Sequence, residues 1–123
     1  MAIKVGTSTV INGARNFIVT GASGKYDDFR APVTPVTNVI NFNTPLMSVA
    51  LTASTAFTES NKALGKIATL ILDRSTSGHT PTFSANVQWA NDAVPTWSNY
   101  RYWTISFVCW DATTVRAVAN GNN

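Results

Sequence analysis

This sequence of 123 residues has little charge: Asp, Glu, Lys and Arg together make up 12% of it, about half the ~25% of an ordinary globular chain. Apolar residues keep their usual share at 45%, so the polar surface falls to Ser, Thr and Asn. A soluble monomer normally shows water a mixed, charged exterior. A chain this poor in charge is therefore expected to have much of its outside covered by copies of itself or by partners, because interface cores are depleted of charged residues. Cysteine and histidine are scarcer still, with one of each. Cys109 excludes an intramolecular disulfide, and its place in the row Ile105, Phe107, Cys109 reads as core rather than as nucleophile or ligand. Four-ligand structural zinc is excluded by the same count. Nucleophilic catalysis has one candidate base, His79, in the loop Ser75-Thr76-Ser77-Gly78-His79-Thr80-Pro81, where the sequence offers nothing to position it.

Long apolar runs and basic clusters are missing as well. No stretch approaches the ~20 apolar residues of a membrane span, and Met1 to Gly6 lacks the apolar centre of a secretory signal. The nine Lys and Arg are scattered from Lys4 to Arg116, without the stripe that nucleic acid selects. Of the six acids only Asp27 and Asp28 adjoin, and neighbours in extended chain point to opposite sides, which does not suit paired-carboxylate catalysis. The expectation is a non-enzymatic protein without cofactor, metal, nucleic-acid partner or membrane insertion, assembled in a cytoplasm.

What the sequence does have is alternation. Short apolar-alternating runs separated by Gly, Pro, Asn, Asp and Ser predict an all-β sandwich or barrel of seven or eight strands. The clearest is Arg101 to Trp110, where Trp103, Ile105, Phe107 and Cys109 form one apolar row and Tyr102, Thr104, Ser106, Val108 and Trp110 the other. Thr114 to Ala119 resumes the pattern with Val115 and Ala117, so a C-terminal antiparallel hairpin is predicted around Asp111 to Thr113. Further strands are predicted over Val36 to Phe42, Leu46 to Ala53, Ile67 to Leu72 and Thr82 to Trp89, with the prolines at or outside their ends. Helix is almost absent; the best case, Thr58 to Lys66, supports one short turn. Residues 1–30 differ, with short β-like pieces broken by Gly6, Gly13 and Gly21. They read either as an edge strand of the same domain or as an arm that docks on a neighbour through Ile3, Val5, Val10, Ile11 and Phe17, ahead of a β-sandwich domain over 31–123.

Several of these residues also form a pattern met elsewhere. Met1-Ala2-Ile3-Lys4-Val5-Gly6, Thr9-Val10-Ile11 and Ala14-Arg15-Asn16-Phe17 resemble the start of tail-fibre-like and other appendage proteins of phages, notably those infecting cyanobacteria. The order Leu70-Ile71-Leu72, Pro81-Thr82-Phe83, Val87-Gln88-Trp89, Pro95-Thr96-Trp97, Trp103-Thr104-Ile105-Ser106-Phe107 and Asp111 is similar to the C-terminal β-domain of phage fibre and virion-surface proteins. Where such domains place Asp-Gly, this chain has Asp111-Ala112, which predicts a longer hairpin loop. The resemblance implies a virion component of jelly-roll-like sandwich fold, homo-oligomeric and commonly trimeric, in contact with other virion proteins.

Three functional classes follow: a tail appendage or fibre-type protein, a capsid decoration protein, and a carbohydrate-binding module that meets host-surface glycan. The last rests on Trp97 and Tyr100, which share a predicted loop with Asp92 and Asn99 and would offer a ring to a sugar face.

Overall fold

The computed structural model describes residues 32–75 and 78–123; the expected arm, with Ile3, Val5, Val10, Ile11 and Phe17, lies outside the described residues. The strands are β1 (Thr34–Pro35), β2 (Val39–Asn41), β3 (Leu46–Ala50), β4 (Thr55–Ser60), β5 (Ile67–Asp73), β6 (Pro81–Phe83), β7 (Val87–Trp89), β8 (Tyr102–Cys109) and β9 (Val115–Asn122). Single 3-10 turns span Ala90–Asp92 and Trp97–Asn99. Two sheets result, one of six strands in the order β1-β3-β5-β8-β9-β7 and one of three in the order β2-β4-β6. This is an all-β, sandwich-like domain, as the alternation predicts.

Its winding departs from the jelly-roll-like expectation, in which strands pair antiparallel. From β1 to β6 the chain steps from one sheet to the other at every strand, and each strand lies parallel to the one two places earlier. Parallel neighbours need a crossover connection, and here the crossover is a strand of the opposite sheet. Among the described residues only β5-β8-β9 pairs antiparallel.

Period-two patterning puts one row of each long strand inside. On β8, Trp103, Ile105, Phe107 and Cys109 are buried while the residues between them are exposed; on β5 the buried row is Ala68, Leu70 and Leu72. Ile40 and Phe57 meet them from the smaller sheet. Phe83 is the hub of the rings: its centroid lies 5.2 Å from Phe57, 5.3 Å from Trp89, 5.8 Å from Trp97 and 5.9 Å from Phe107. Such pairs add ~0.5–1.5 kcal/mol each beyond the area they bury.

Two expectations need correction. Thr82 to Trp89 is not one strand, because Ser84 closes a turn: its carbonyl accepts from Val87 N–H at 3.1 Å and its Oγ from Asn86 N–H at 3.2 Å. Phe83 thus ends in the small sheet and Val87 in the large one, and alternation persists across the break because both halves face one core. The short turn expected over Thr58 to Lys66 is displaced as well, since Thr58–Ser60 belongs to β4. A strand with one large apolar residue, Phe57, leaves little periodic signal. The chain turns after it through Asn61 and Gly65, both at positive φ.

The C-terminal hairpin forms as predicted. Asp111 Oδ1 accepts from the N–H groups of Thr113 (2.7 Å) and Thr114 (2.6 Å), and Trp110 N–H donates to Thr114 O at 2.8 Å. The carboxylate organises a loop longer than two residues, so Ala112 need not take positive φ and does not. Those N–H groups, Thr114 first, hold the Asp111 carboxyl below its ordinary range, with help from Lys62. A depressed carboxyl stabilises the fold above its unfolded pKa of ~3.9, and that contribution is lost as pH falls through the folded value. Asp111→Asn keeps the acceptor without the titration, so its stability is expected to fall less steeply than wild type below pH ~4; superimposable acid denaturation curves would contradict this.

Near the end of β9, a Cβ on Gly121 would stand 2.5 Å from Tyr100 Cδ2 and 3.0 Å from Trp103 Cε3. The strand and the rings approach so closely only because glycine is there. Gly121→Ala is expected to cost ~1–3 kcal/mol in urea denaturation, as overpacking does, and Tyr100→Ala in the same chain should recover part of it.

Candidate functional site

Strand parity that buries one row of the six-stranded sheet leaves the other row on its outer face. The register aligns these outward residues in lines: Ile67, Val108, Arg116 and Gln88; Thr69, Ser106 and Val118; Ile71, Thr104 and Asn120; Asp73, Tyr102 and Asn122. Ile67 is 61% exposed, Trp110 58% and Val118 51%, and Ile71, Tyr102 and Val108 are exposed as well. The two middle lines hold no charge at all.

Charge on this face is confined to its ends and laid flat. At one end Arg116 sits over the Trp110 ring, 4.6 Å from its centroid. At the other, Arg101 grips Asp73 through two bonds, Nε to Oδ1 at 2.8 Å and Nη2 to Oδ2 at 3.1 Å, and lies 4.8 Å from the centroid of Tyr102. That guanidinium, aided by Ser75 N–H, holds the Asp73 carboxyl below its usual value. The pair satisfies itself and leaves the face between its ends to hydroxyl, amide and aliphatic groups.

The β7 edge adds relief. After Trp89 the chain reverses through Ala90-Asn91-Asp92-Ala93, where Asn91 and Asp92 both take positive φ and Ala93 N–H donates to Ala90 O at 3.2 Å. Two successive left-handed residues make a type I′-like turn, a conformation Asn and Asp tolerate. The turn walls a groove of about 460 Å³ on the outer face, floored by Ser106, Val108, Arg116 and Val118 with Gln88, Asn91 and Asp92 at its side. A second hollow of about 380 Å³ lies beside the inward row, among Val94, Pro95, Trp103 and Ala119.

The structure does not gather the four residues expected to meet a ligand. Trp97 is a correction to the exposed ring that a sugar contact needs: it is 7% exposed, its ring centroid 4.9 Å from Trp103 and 5.5 Å from Trp89. The 3-10 turn folds it under the sheet, where Trp97 O and Tyr100 O both accept from Trp103 Nε1 at 3.3 and 3.1 Å. Tyr100 is 40% exposed and lines a separate hollow with Arg74 and Arg101. Asn99 is exposed on the turn, and Asp92 alone joins the outer groove.

Sequence reading missed two buried charges. Arg74 donates to three main-chain carbonyls, His79 O at 2.7 Å, Tyr100 O at 2.8 Å and Gly78 O at 3.0 Å, pinning the segment before β6 to the one before β8. Glu59, its side chain 2% exposed, accepts from Ser84 Oγ at 2.8 Å and Lys62 Nζ at 3.4 Å. Lys62 in turn reaches Thr113 O at 3.0 Å, linking the small sheet to the hairpin loop. Arg116, Gln88 and Val118 were legible from the outward parity of their strands but carried no motif. Among the described residues no three of His, Cys, Asp and Glu come together as a metal site would require.

With its ring in the core, Trp97→Ala is expected to cost ~3–5 kcal/mol of stability in urea denaturation, whereas an exposed contact residue would stay within ~0.5 kcal/mol. Compared with protein-family models, with curated proteins and with solved structures, the chain matches none.

Proposed function

We propose that this chain is a structural protein of a tailed-phage particle, of the tail appendage or fibre type, that works by self-association and surface contact rather than by catalysis. The observation that carries the reading is the outer face of the six-stranded sheet. It sets Ile67, Ile71, Val108, Trp110 and Val118 in water with no free charge between Arg116 and the Asp73–Arg101 pair. Monomeric proteins rarely expose contiguous apolar patches beyond a few hundred Å². An open sheet face carrying aliphatic, hydroxyl and amide groups suits a second protein surface better than a small molecule, which prefers an enclosed site.

The same features bear on the alternatives. A capsid decoration protein would use the same kind of face against a shell, and differs in its neighbour rather than in its chemistry. A sugar-binding module has lost its main support, since Trp97 is buried. Placement in the virion follows the resemblance of both chain segments to phage appendage proteins.

Light scattering on the purified chain across a concentration series tests the reading. The wild type is expected to form a discrete oligomer by tens of micromolar, the weak range in which single interfaces of modest size dissociate. Ile71→Lys with Val118→Lys, both on the outer face, should raise the dissociation constant at least about tenfold with little change in unfolding midpoint. A monomer at every concentration, or an oligomer indifferent to both lysines, would overturn it.

A further inference from the structure

The outer groove beside β7 carries two opposite charges that do not meet. Among the described residues the ion pairs join Lys62 to Glu59 and Arg101 to Asp73, so Asp92 and Arg116 line the groove without an opposite charge on either. Register keeps them apart. Parallel pairing sets Gln88 beside Arg116 and Trp89 beside Ala117, which carries the turn after Trp89 past Val118. Asp92 therefore stands diagonally from Arg116, one strand spacing of ~4.8 Å across and about two residues, ~6.6 Å, along.

Both groups are held in place before any partner arrives. Arg116 lies over the Trp110 ring, 4.6 Å from its centroid, a stack that fixes the guanidinium plane and leaves the N–H groups at its rim for outside acceptors. Asp92 sits in a turn whose two central residues take positive φ and whose ends are tied by Ala93 N–H to Ala90 O. A simple ion entering this groove answers one charge and leaves the other. A surface carrying the same two charges in inverted order answers both, and a second copy carries them, because a twofold axis brings residue i to j and j to i.

We propose that a second copy of the chain docks on this groove about a twofold axis passing between Gln88 and Val118, so that Arg116 of each copy meets Asp92 of the other. Neither charge then meets its own image, because the two stand on opposite sides of the axis. The planar guanidinium suits a bidentate grip on the carboxylate, and the same contact covers Val108 and Val118, which otherwise stand in water. Exposed ion pairs add little to stability. At an interface, opposite charges fix the register and reject like-charge contacts. The inference rests on the self-association proposed above and assigns its symmetry and its charged contact.

Charge reversal with mixing, read by light scattering on the full chain, tests it. Asp92→Lys and Arg116→Glu each set like charges together twice across the axis, so each alone should associate at least about tenfold more weakly than wild type. Mixed one to one, they restore both opposite-charge contacts and should form a heterodimer about as tight as the wild-type pair. Lysine suits positive φ less well than Asp or Asn, so Asp92→Asn supplies a second arm. It should weaken association severalfold, and its mixture with Arg116→Glu, which regains one of the two contacts, should associate more tightly than either variant alone. If the single variants associate as wild type does, or if neither mixture gains over its components, the twofold contact is overturned, and the face reading stands as long as Ile71→Lys with Val118→Lys still weakens association. A mixture that recovers as a larger ring rather than a one-to-one dimer overturns the twofold axis. A wild type that is monomeric at every concentration removes both readings.

Discussion

Strands of two or three residues cannot hold a sheet by their ladders alone, and β1, β2, β6 and β7 are that short. Ile40 anchors β2 in the core, and what holds β6 and β7 is the ring cluster centred on Phe83, which touches Phe57 in its own sheet and Trp89, Trp97 and Phe107 outside it. The alternating winding makes this contact necessary. Since from β1 to β6 each connection between parallel neighbours passes through the opposite sheet, the two sheets form together, and the interior between them joins both. Trp97 continues the cluster to Trp103, which draws the long segment between β7 and β8 underneath the sheet and leaves the β9 edge open.

Scarcity of charge shapes both the inside and the outside. Charges that are buried end on several polar groups: Arg74 on three carbonyls, Glu59 on Ser84 and Lys62. These bonds tie separate segments together where the strands are too short to do so. On the outer face the remaining charges are spent on each other or on aromatic rings, as with Asp73, Arg101 and Arg116. The consequence is a broad surface whose polarity is hydroxyl and amide. Such groups lose little by being covered, because each finds a partner across an interface as readily as in water.

Where the sequence carried a long, two-sided alternation, the structure follows it. β8 buries Trp103, Ile105, Phe107 and Cys109, and the hairpin after it forms around Asp111. Short elements were harder to read for physical reasons. Thr55–Ser60 has a single large apolar residue, and the break at Ser84 is invisible to parity because both flanking strands face the same core. Trp97 was misplaced because loop composition reports proximity to Gly, Pro and Asn, whereas burial depends on where the loop travels. The outer face was legible in outline: Tyr102, Val108 and Trp110 alternate with the core row. Its extension to Ile67, Ile71 and Val118 required the register, which no local pattern contains.

Taken together, a charge-poor exterior and an apolar sheet face support the proposal that neighbours cover this subunit. Acrylamide quenching of tryptophan fluorescence over a concentration series tests that claim directly. Of the four tryptophans Trp97 and Trp103 are buried within the chain, Trp89 is partly buried on β7 and Trp110 is the most exposed, on the outer face, so quenching of the accessible fraction reports mainly on whether that face is open. The account predicts quenching that falls as concentration rises, with a blue shift in emission. Quenching that is constant from the most dilute to the most concentrated sample would contradict it.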